Sequence, residues 1–402
     1  MISLFNPVPF MFTGSGAISK IPSHLKERGY NNPLIVTDKT IVTFPFFAKI
    51  KELFPNAVIY DKTLPNPPDT QIHEGADIYK KNNCDCLIAV GGGSAMDCAK
   101  AIGIIAANGG NIHDYAKAPN SVPKPIPHLA AIPTTAGSGS ECTAAAMITN
   151  TEGHHSKMAV LSVNIIPSAS FIDPDIMVAL PPFLTASTGL DALAHAIEAY
   201  LAKNANEYTD GLSFTAIRLI FKYLPRAVAN GADMKAREKM AYAQSMAGIA
   251  FNSAGLGLVH AMSHPLSATY GIPHGVANSI LLPWVMEFNR MARHDKMIEI
   301  AEAAGENRFN LPSRDVAALA AKSVRILSSD VGVVTNISEA VSMLGKYANF
   351  EKDIEGLIKD AREDLFIKDN PRNASPSDIR AIYASCWSTA TIDVIRRLRE
   401  LN

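Results

Sequence analysis

The chain has 402 residues, enough for two domains or at most three at about 100–200 residues each. Hydrophobic residues make up 48% of it and charged residues 19%, a balance that supports large cores and excludes a disordered chain. With 37 basic against 38 acidic residues, a formal charge of −1 and no long Lys/Arg run, electrostatics give no ground for a nucleic-acid partner.

The apolar N-terminal segment is broken by Pro7 and Pro9 and lacks a basic leader, so it does not read as a signal peptide. Leu34-Ile35-Val36-Thr37 is the first buried-strand run, followed by Asp38 and a helical stretch. Ala57-Val58-Ile59-Tyr60 is the second, ending in the turn-rich Leu64-Pro65-Asn66-Pro67-Pro68. Leu87-Ile88-Ala89-Val90 leads directly into Gly91-Gly92-Gly93-Ser94, and Leu129-Ala130-Ala131-Ile132 is closed by Pro133-Thr134-Thr135. Short apolar strands alternating with helices predict a mostly parallel sheet covered on both faces. Between 143 and 172 strand-like segments follow without helices. With Asn150-Thr151-Glu152-Gly153 as the turn, they predict an antiparallel hairpin and a return strand ending near Ile172-Asp173.

Pro181-Pro182 marks a boundary. Beyond it helical periodicity covers roughly 185–202, 207–224, 234–251, 256–270, 275–293, 313–327, 335–346 and 351–362. A last helix over 376–398 opens with Ser375-Pro376, a capping residue followed by a helix-opening proline. No apolar run reaches the length of about 18 residues that a membrane span needs. The expected architecture is an α/β domain over 1–180 and an all-helical domain over 181–402. Cys84, Cys86, Cys98, Cys142 and Cys386 are odd in number and thinly spread. They are not a disulfide framework, fit a reducing compartment with the cytoplasm as default, and read as small core fillers. Cys84-Asp85-Cys86 has no second such pair to complete a zinc site.

Gly91-Gly92-Gly93 joins an apolar strand to an apolar helix. Glycines let the backbone approach a pyrophosphate, and the helix start offers unpaired N–H groups to that anion. The usual G-x-G-x-x-G spacing is absent. Asp38, at the end of the first strand, is the better candidate for an adenosine ribose hydroxyl. A carboxylate there repels a 2′-phosphate, which favours NAD over NADP. The hydroxyl- and glycine-rich Pro133-Thr134-Thr135-Ala136-Gly137-Ser138-Gly139-Ser140-Glu141 can wrap a phosphate or the nicotinamide carboxamide, or simply connect two elements.

Asp191 and His195 are four apart on a predicted helix, so they share a face one turn apart. His260 and His264 repeat that spacing, and His274 follows in the turn after Gly271-Ile272-Pro273. A single helix histidine is usually a satisfied core or surface residue. Several on apolar faces beside an aspartate need a shared partner, and a divalent cation supplies one. One Asp with three His suits Fe(II), Zn(II), Co(II) or Ni(II) equally on ligand chemistry. The remaining histidines, His24, His73, His113, His128, His154, His155 and His294, sit mostly in polar segments and are expected at the surface.

Four segments carry a resemblance: Gly91-Gly92-Gly93-Ser94-Ala95-Met96-Asp97, Pro133 to Glu141, Asp173 to Glu198, and Gly255 to Asn278. Through them the chain resembles the iron-containing (group III) alcohol dehydrogenases over essentially its whole length. The resemblance implies a Rossmann-like dinucleotide-binding domain followed by an all-α metal-binding domain, a dehydroquinate synthase-like architecture. It implies metal ligation by Asp191, His195, His260 and His274, commonly of Fe(II) and sometimes of zinc. It implies NAD contacts from Asp38, Asn66, Gly92, Gly93, Ser94, Asp97, Thr134, Thr135, Ser138 and Lys157, with Ser138 standing where many members carry threonine. His264 resembles the family's histidine near the nicotinamide and the open metal position, and Phe251 resembles a pocket wall.

The expected reaction is hydride transfer between nicotinamide C4 and a primary alcohol or small diol, with Fe(II) as Lewis acid for the alcohol oxygen and the nicotinamide presented in a cleft between the domains. His264 either passes the proton towards solvent or only orients its neighbours. The same fold also serves metal- and NAD-dependent lyases or cyclases of the dehydroquinate-synthase type, and a non-catalytic nucleotide- or metal-binding protein is a further alternative. Partners are expected to be a small alcohol or aldehyde and further copies of the chain in a homodimer or larger assembly, with no membrane.

Overall fold

The computed structural model describes residues 5–152 and 157–388. Its strands are β1 (Phe10–Thr13), β2 (Pro33–Val36), β3 (Val58–Tyr60), β4 (Cys86–Gly91), β5 (Leu129–Pro133), β6 (Ala145–Thr149), β7 (Lys157–Leu161) and β8 (Ala169–Ile172). Six of them form one parallel sheet in the order β1-β8-β5-β4-β2-β3. Every residue of β2, β4, β5 and β8 is buried, which is why these strands read as continuous apolar runs rather than alternating ones. The chain winds from β2 outward to β3 on one side and from β4 through β5 to β8 on the other. The winding therefore reverses between β2 and β4, the position where open α/β sheets bind ligands at their carboxyl ends.

β6 and β7 form the expected antiparallel hairpin, pairing from Ala145↔Leu161 to Thr149↔Lys157. Gly153 of its turn, together with His154 and His155, lies outside the described residues. β1 has no counterpart in the sequence reading. It is a four-residue edge strand with both ends exposed, and its short apolar run Phe10-Met11-Phe12, just after Pro7 and Pro9, lacks the alternation that marks a half-buried strand.

Helices α1 (Ile21–Lys26), α2 (Pro45–Leu53), α3 (Asp69–Lys81), α4 (Gly93–Asn108), α5 (Ile112–Tyr115) and α6 (Pro174–Met177) accompany the sheet. Leu34, Val36, Leu87, Ala89, Leu129 and Ala131 pack with Ile72, Met96 and Ile102 of α3 and α4 in one core. All five cysteines are buried and free, as expected of core fillers.

Among the described residues, everything after Pro181 is helix or connection: α7 (Pro182–Leu201), α8 (Glu207–Ala229), α9 (Met234–Ala254), α10 (Leu258–Tyr270), α11 (His274–Asn289), α12 (His294–Ala303), α13 (Ser313–Asp330), α14 (Ile337–Met343), α15 (Phe350–Glu363) and α16 (Pro376–Trp387). α8 runs through Pro225 instead of stopping at Leu224. α12 was not expected, and 389–398 of the last expected helix lies outside the described residues.

The chain forms two compact units. One is Asn6–Leu180 with Gly231–Asn252, and the other is built mainly from Pro181–Asn230 and the described residues from Ser253 to Ser388. Most of α9 thus joins the sheet-containing unit. Gly139, at φ 63, and Gly248 of α9 meet so closely that a Cβ on Gly139 would lie 2.7 Å from the Gly248 Cα. Gln244 of α9 accepts from the Gly139 N–H at 3.0 Å and donates to Glu141 at 2.6 Å. Periodicity identifies this helix but carries no information on which core it enters.

His24 and His128 were expected at the surface and are buried, at 3% and 9% exposure. Their Nε2 atoms face each other at 3.2 Å, and Phe12 and Phe171 pack edge-on against the His24 ring. Tertiary aromatic neighbours, invisible in a polar sequence window, bury them. His73, His113 and His294 are partly exposed. No helix among the described residues is long and apolar enough to cross a membrane.

Candidate metal and cofactor sites

On α7, Asp191 and His195 project from one face, and Ala192, Ala194 and Ala196 are buried around them. α10 ends at Gly271, whose φ of 78 supplies the left-handed cap, and Ile272-Pro273 turns the chain into α11, which begins at His274. Gly275 lets this helix start press onto α7. A Cβ there would fall on the Ser187 carbonyl oxygen, well inside van der Waals contact, and 3.3 Å from the Asp191 Cβ.

One carboxylate oxygen or imidazole nitrogen from each of Asp191, His195, His260 and His274 lies within 4.8 Å of all the others. Ligands about 2.1 Å from one cation are about 3–4 Å apart, so small ring movements bring all four onto a single ion. The His195 and His260 rings stack at 4.7 Å, and those of His260 and His274 lie 5.3 Å apart. Asp191, His195 and His260 are buried, whereas the His274 side chain is 31% exposed and leaves that side of the cluster open.

The immediate surroundings fit an ion. Asn278, one turn after His274, places its amide nitrogen 2.7 Å from Asp191 Oδ1, 3.2 Å from His260 Nε2 and 3.1 Å from His274 Nε2. That nitrogen has two hydrogens for three neighbours. Burial, reinforced by the nearby His195, holds His260 well below the usual histidine range, and neutral imidazole is the form that ligates. His264 stacks on His274 at 5.3 Å between centroids, and its Nδ1 meets Asp364 Oδ2 at 2.7 Å. Burial raises the Asp364 carboxyl, but its hydrogen bonds from His264 and the Phe366 N–H help to outweigh that and hold the group below the usual range.

The sequence reading missed three side chains here: Glu198, Asn278 and Asp364. Glu198 is three residues after His195 and Asn278 four after His274, so the one-turn rule that paired Asp191 with His195 also singles them out. Asp364 lies 100 residues from His264, and no local spacing could connect them.

The residues expected to bind NAD belong to the sheet-containing unit. Asp38 follows β2, Gly92, Gly93, Ser94 and Asp97 follow β4, and Thr134, Thr135 and Ser138 follow β5. Asp38 is half-buried. Its Oδ1 accepts from the N–H groups of Thr40 and Ile41 at 2.8 and 2.9 Å, and its Oδ2 faces Gly91. A Cβ on Gly92 would touch Thr135, and one on Gly93 would lie 3.0 Å from the Ser138 Cβ, so glycine lets the two loops lie side by side. Asn66, exposed and at φ 53, donates its N–H to Ser94 Oγ at 3.3 Å.

Asp97 accepts from Ser140 Oγ at 2.7 Å and from the Met147 N–H at 3.0 Å, tying α4 to the hydroxyl loop and to β6. Lys100 completes that tie by donating to Ser140 Oγ and to the Thr143 and Ala145 carbonyls. Burial pushes its ammonium group down to about 8. Lys157 opens β7, and Phe251 sits half-buried on α9.

Residues 9–174 match the model of the iron-containing alcohol dehydrogenases, and residues 185–387 match that of the Fe-containing alcohol dehydrogenase family, C-terminal. The chain is 44% identical over 386 residues to an NAD-dependent methanol dehydrogenase of Bacillus methanolicus, covering 95% of this chain and 99% of that one. It is 41% identical to a 1,3-propanediol dehydrogenase of Citrobacter freundii, covering 94% and 96% of the two chains. The crystal structure of a 1,3-propanediol oxidoreductase superposes with a TM-score of 0.92 at 38% identity, over 96% of this chain and 100% of the other.

Proposed function

Because the chain belongs to the iron-containing alcohol dehydrogenase family, we propose that it interconverts small primary alcohols or diols with their aldehydes, using NAD and a metal held by Asp191, His195, His260 and His274. The convergence of those four ligand atoms within 4.8 Å is the observation that carries this reading. Fe(II) is the metal the family implies, and the same donor set accepts zinc. Relatives named for NAD, methanol and 1,3-propanediol support the cofactor and the substrate size.

A divalent cation at this site supplies Lewis acidity, lowering the pKa of an alcohol hydroxyl and polarising a carbonyl. Bound NAD supplies the hydride acceptor at nicotinamide C4. The protein's own groups bind and orient. The N–H groups at the start of α4, reached through Gly92, Gly93 and Ser94, take the pyrophosphate. Asp38 accepts the adenosine ribose hydroxyls. Asn66, Asp97, Thr134, Thr135, Ser138 and Lys157 complete the cofactor cradle, and Phe251 is assigned to the pocket wall. His264, steadied through Nδ1 by Asp364, has Nε2 available to carry the alcohol proton towards solvent. In this reading residues 1–180 serve the cofactor and residues 181–402 the metal.

The enzyme is assigned to the cytoplasm, supported by five free cysteines. It is assigned to a homodimer or larger assembly, supported by exposed apolar side chains such as Phe183 and Leu184.

The test is turnover of methanol, ethanol, 1-propanol and the propanediols by protein reconstituted with Fe(II) or Zn(II), with NAD and NADP. Steady NADH formation is expected. Cofactor and metal binding without net NADH from any alcohol would overturn the reading in favour of a transient-NAD lyase or a binding protein.

A further inference from the structure

α10 has no capping side chain of its own, yet its first turn is buried and its N–H groups need acceptors. The acceptors come from elsewhere in the chain. Glu198 of α7 takes the Val259 N–H through Oε1 at 2.7 Å and the His260 N–H through Oε2 at 3.4 Å, and Asn370 takes the Leu258 N–H at 3.2 Å. Gly257 makes room for this arrangement, since a Cβ there would lie 2.8 Å from Glu198 Oε1 and 2.9 Å from Asn370 Oδ1.

The same Oε2 stands 2.5 Å from His260 Nδ1. Both Glu198 oxygens already accept backbone N–H groups, the arrangement of an ionised carboxylate, which only accepts; the hydrogen of this pair then sits on Nδ1 and the ring lone pair on Nε2. Nε2 is the nitrogen that points towards Asn278 and the cluster.

We infer that Glu198 is a positioning residue of the metal centre: by capping α10 and accepting the Nδ1–H of His260, it fixes the ring's tautomer and rotation so that Nε2 faces the cation. The inference rests on the proposed ligand set. Hydrogen-bonding a ligating imidazole through its remote nitrogen both orients the ring and makes it a stronger donor.

Glu198→Gln keeps the shape and breaks the logic. Its NH2 group either confronts the Val259 N–H or donates to His260 Nδ1, and the second choice moves the ring hydrogen onto Nε2. The expected result is a metal affinity lower by about 10–100-fold, measured by chelator competition, and an altered ligand-field spectrum of the cobalt(II)-loaded protein. NAD affinity is expected to stay unchanged, and Glu198→Asp to recover part of the metal affinity. A purely structural role would lower the melting temperature of Glu198→Gln and leave cobalt spectrum and affinity as in the parent; that result overturns the inference.

Should the variant fail to fold, 15N spectra of histidine-labelled, zinc-loaded parent protein decide the matter. His260 is expected with its hydrogen on Nδ1, and a hydrogen on Nε2 overturns the inference. His274→Ala, assayed alongside, separates the two levels. If it too retains the metal, the ligand set itself is wrong. If it loses the metal while Glu198→Gln keeps it, only the role of Glu198 falls.

Discussion

His264 is held at one nitrogen and on one face: Nδ1 meets Asp364 Oδ2 at 2.7 Å, and the ring stacks on that of His274 at 5.3 Å between centroids. Phe366, two residues beyond Asp364, closes in at 5.9 Å between centroids, and Asp364 Oδ1 accepts the Phe366 N–H at 2.9 Å. One carboxylate therefore fixes both the ring and the chain turn that packs against it. If His264 carries the alcohol proton, His264→Ala lowers kcat by about 10²–10⁴-fold, the usual worth of a positioned acid–base group, and flattens the pH profile. Asp364→Asn produces a smaller loss in the same direction. An unchanged rate and pH profile in His264→Ala would leave the residue a purely orienting role.

Removing a ligand acts on binding and on turnover together. His274→Ala is expected to lose both metal retention and activity, and dialysis of the parent against chelator to do the same until metal is restored. Metal bound only to the folded state stabilises it by about 2.7 kcal/mol at a hundred times its dissociation constant, so the chelated protein also melts at a lower temperature. Full activity after exhaustive chelation would exclude the metal from the reaction.

What the sequence disclosed and what it withheld follow one physical line. Buried strands such as Leu87–Val90 advertise themselves because both faces must be apolar, and Asp191 with His195 because one helical turn places them together. Glu198 and Asn278 obey the same spacing rule but pass for ordinary helix residues until their partners across the fold are in view. Asp364 sits 100 residues from the ring it holds, β1 is an edge strand with exposed ends, and α9 packs against the Gly139–Glu141 loop, formed far earlier in the chain. Local patterns report which face of an element is buried; they do not report against what.

Cofactor choice is predicted to turn on Asp38, with a structural complication. Its Oδ1 caps the turn at Thr40 and Ile41, so Asp38→Gly removes both the negative charge and the cap, at a stability cost on the order of a few tenths of a kcal/mol. Asp38→Asn keeps an oxygen for the turn and removes only the charge. Both variants are expected to raise the NADP-to-NAD ratio of kcat/KM, with Asn sparing the melting temperature. An unchanged ratio in both would rule out Asp38 as the discriminating residue.

At Gly275 the two helices that carry Asp191 and His274 approach closely, with the Ser187 carbonyl in the way of any side chain. Backbone cannot swing aside as a side-chain tip can, so Gly275→Ala must push α11 away from α7. Overpacking of this kind costs about 1–3 kcal/mol, read as a lower melting temperature. Metal affinity should fall with it, because the displacement moves His274 relative to Asp191. A variant with parental affinity and stability would show that the helices can separate without disturbing the centre.

The buried pair His24 and His128 predicts an acid-labile sheet-containing unit. Burial, then the proximity of His24, pushes His128 down to about 4, and burial also lowers His24. A histidine whose folded-state pKa lies below its unfolded value of about 6.5 takes up its proton on unfolding. Between those two values the unfolded chain binds more protons, so stability rises with pH there. The stabilisation is complete above about pH 6.5 and is lost as the pH falls towards about 4, where the folded His128 begins to protonate. Melting temperatures of the metal-loaded parent and of His128→Gln, measured from pH 7.5 down to pH 4.5 (about three units), test this. His128→Gln is expected to show a shallower decline on acidification, whatever its stability at neutral pH. Parallel curves for the two proteins would mean that the pair does not set the acid limit.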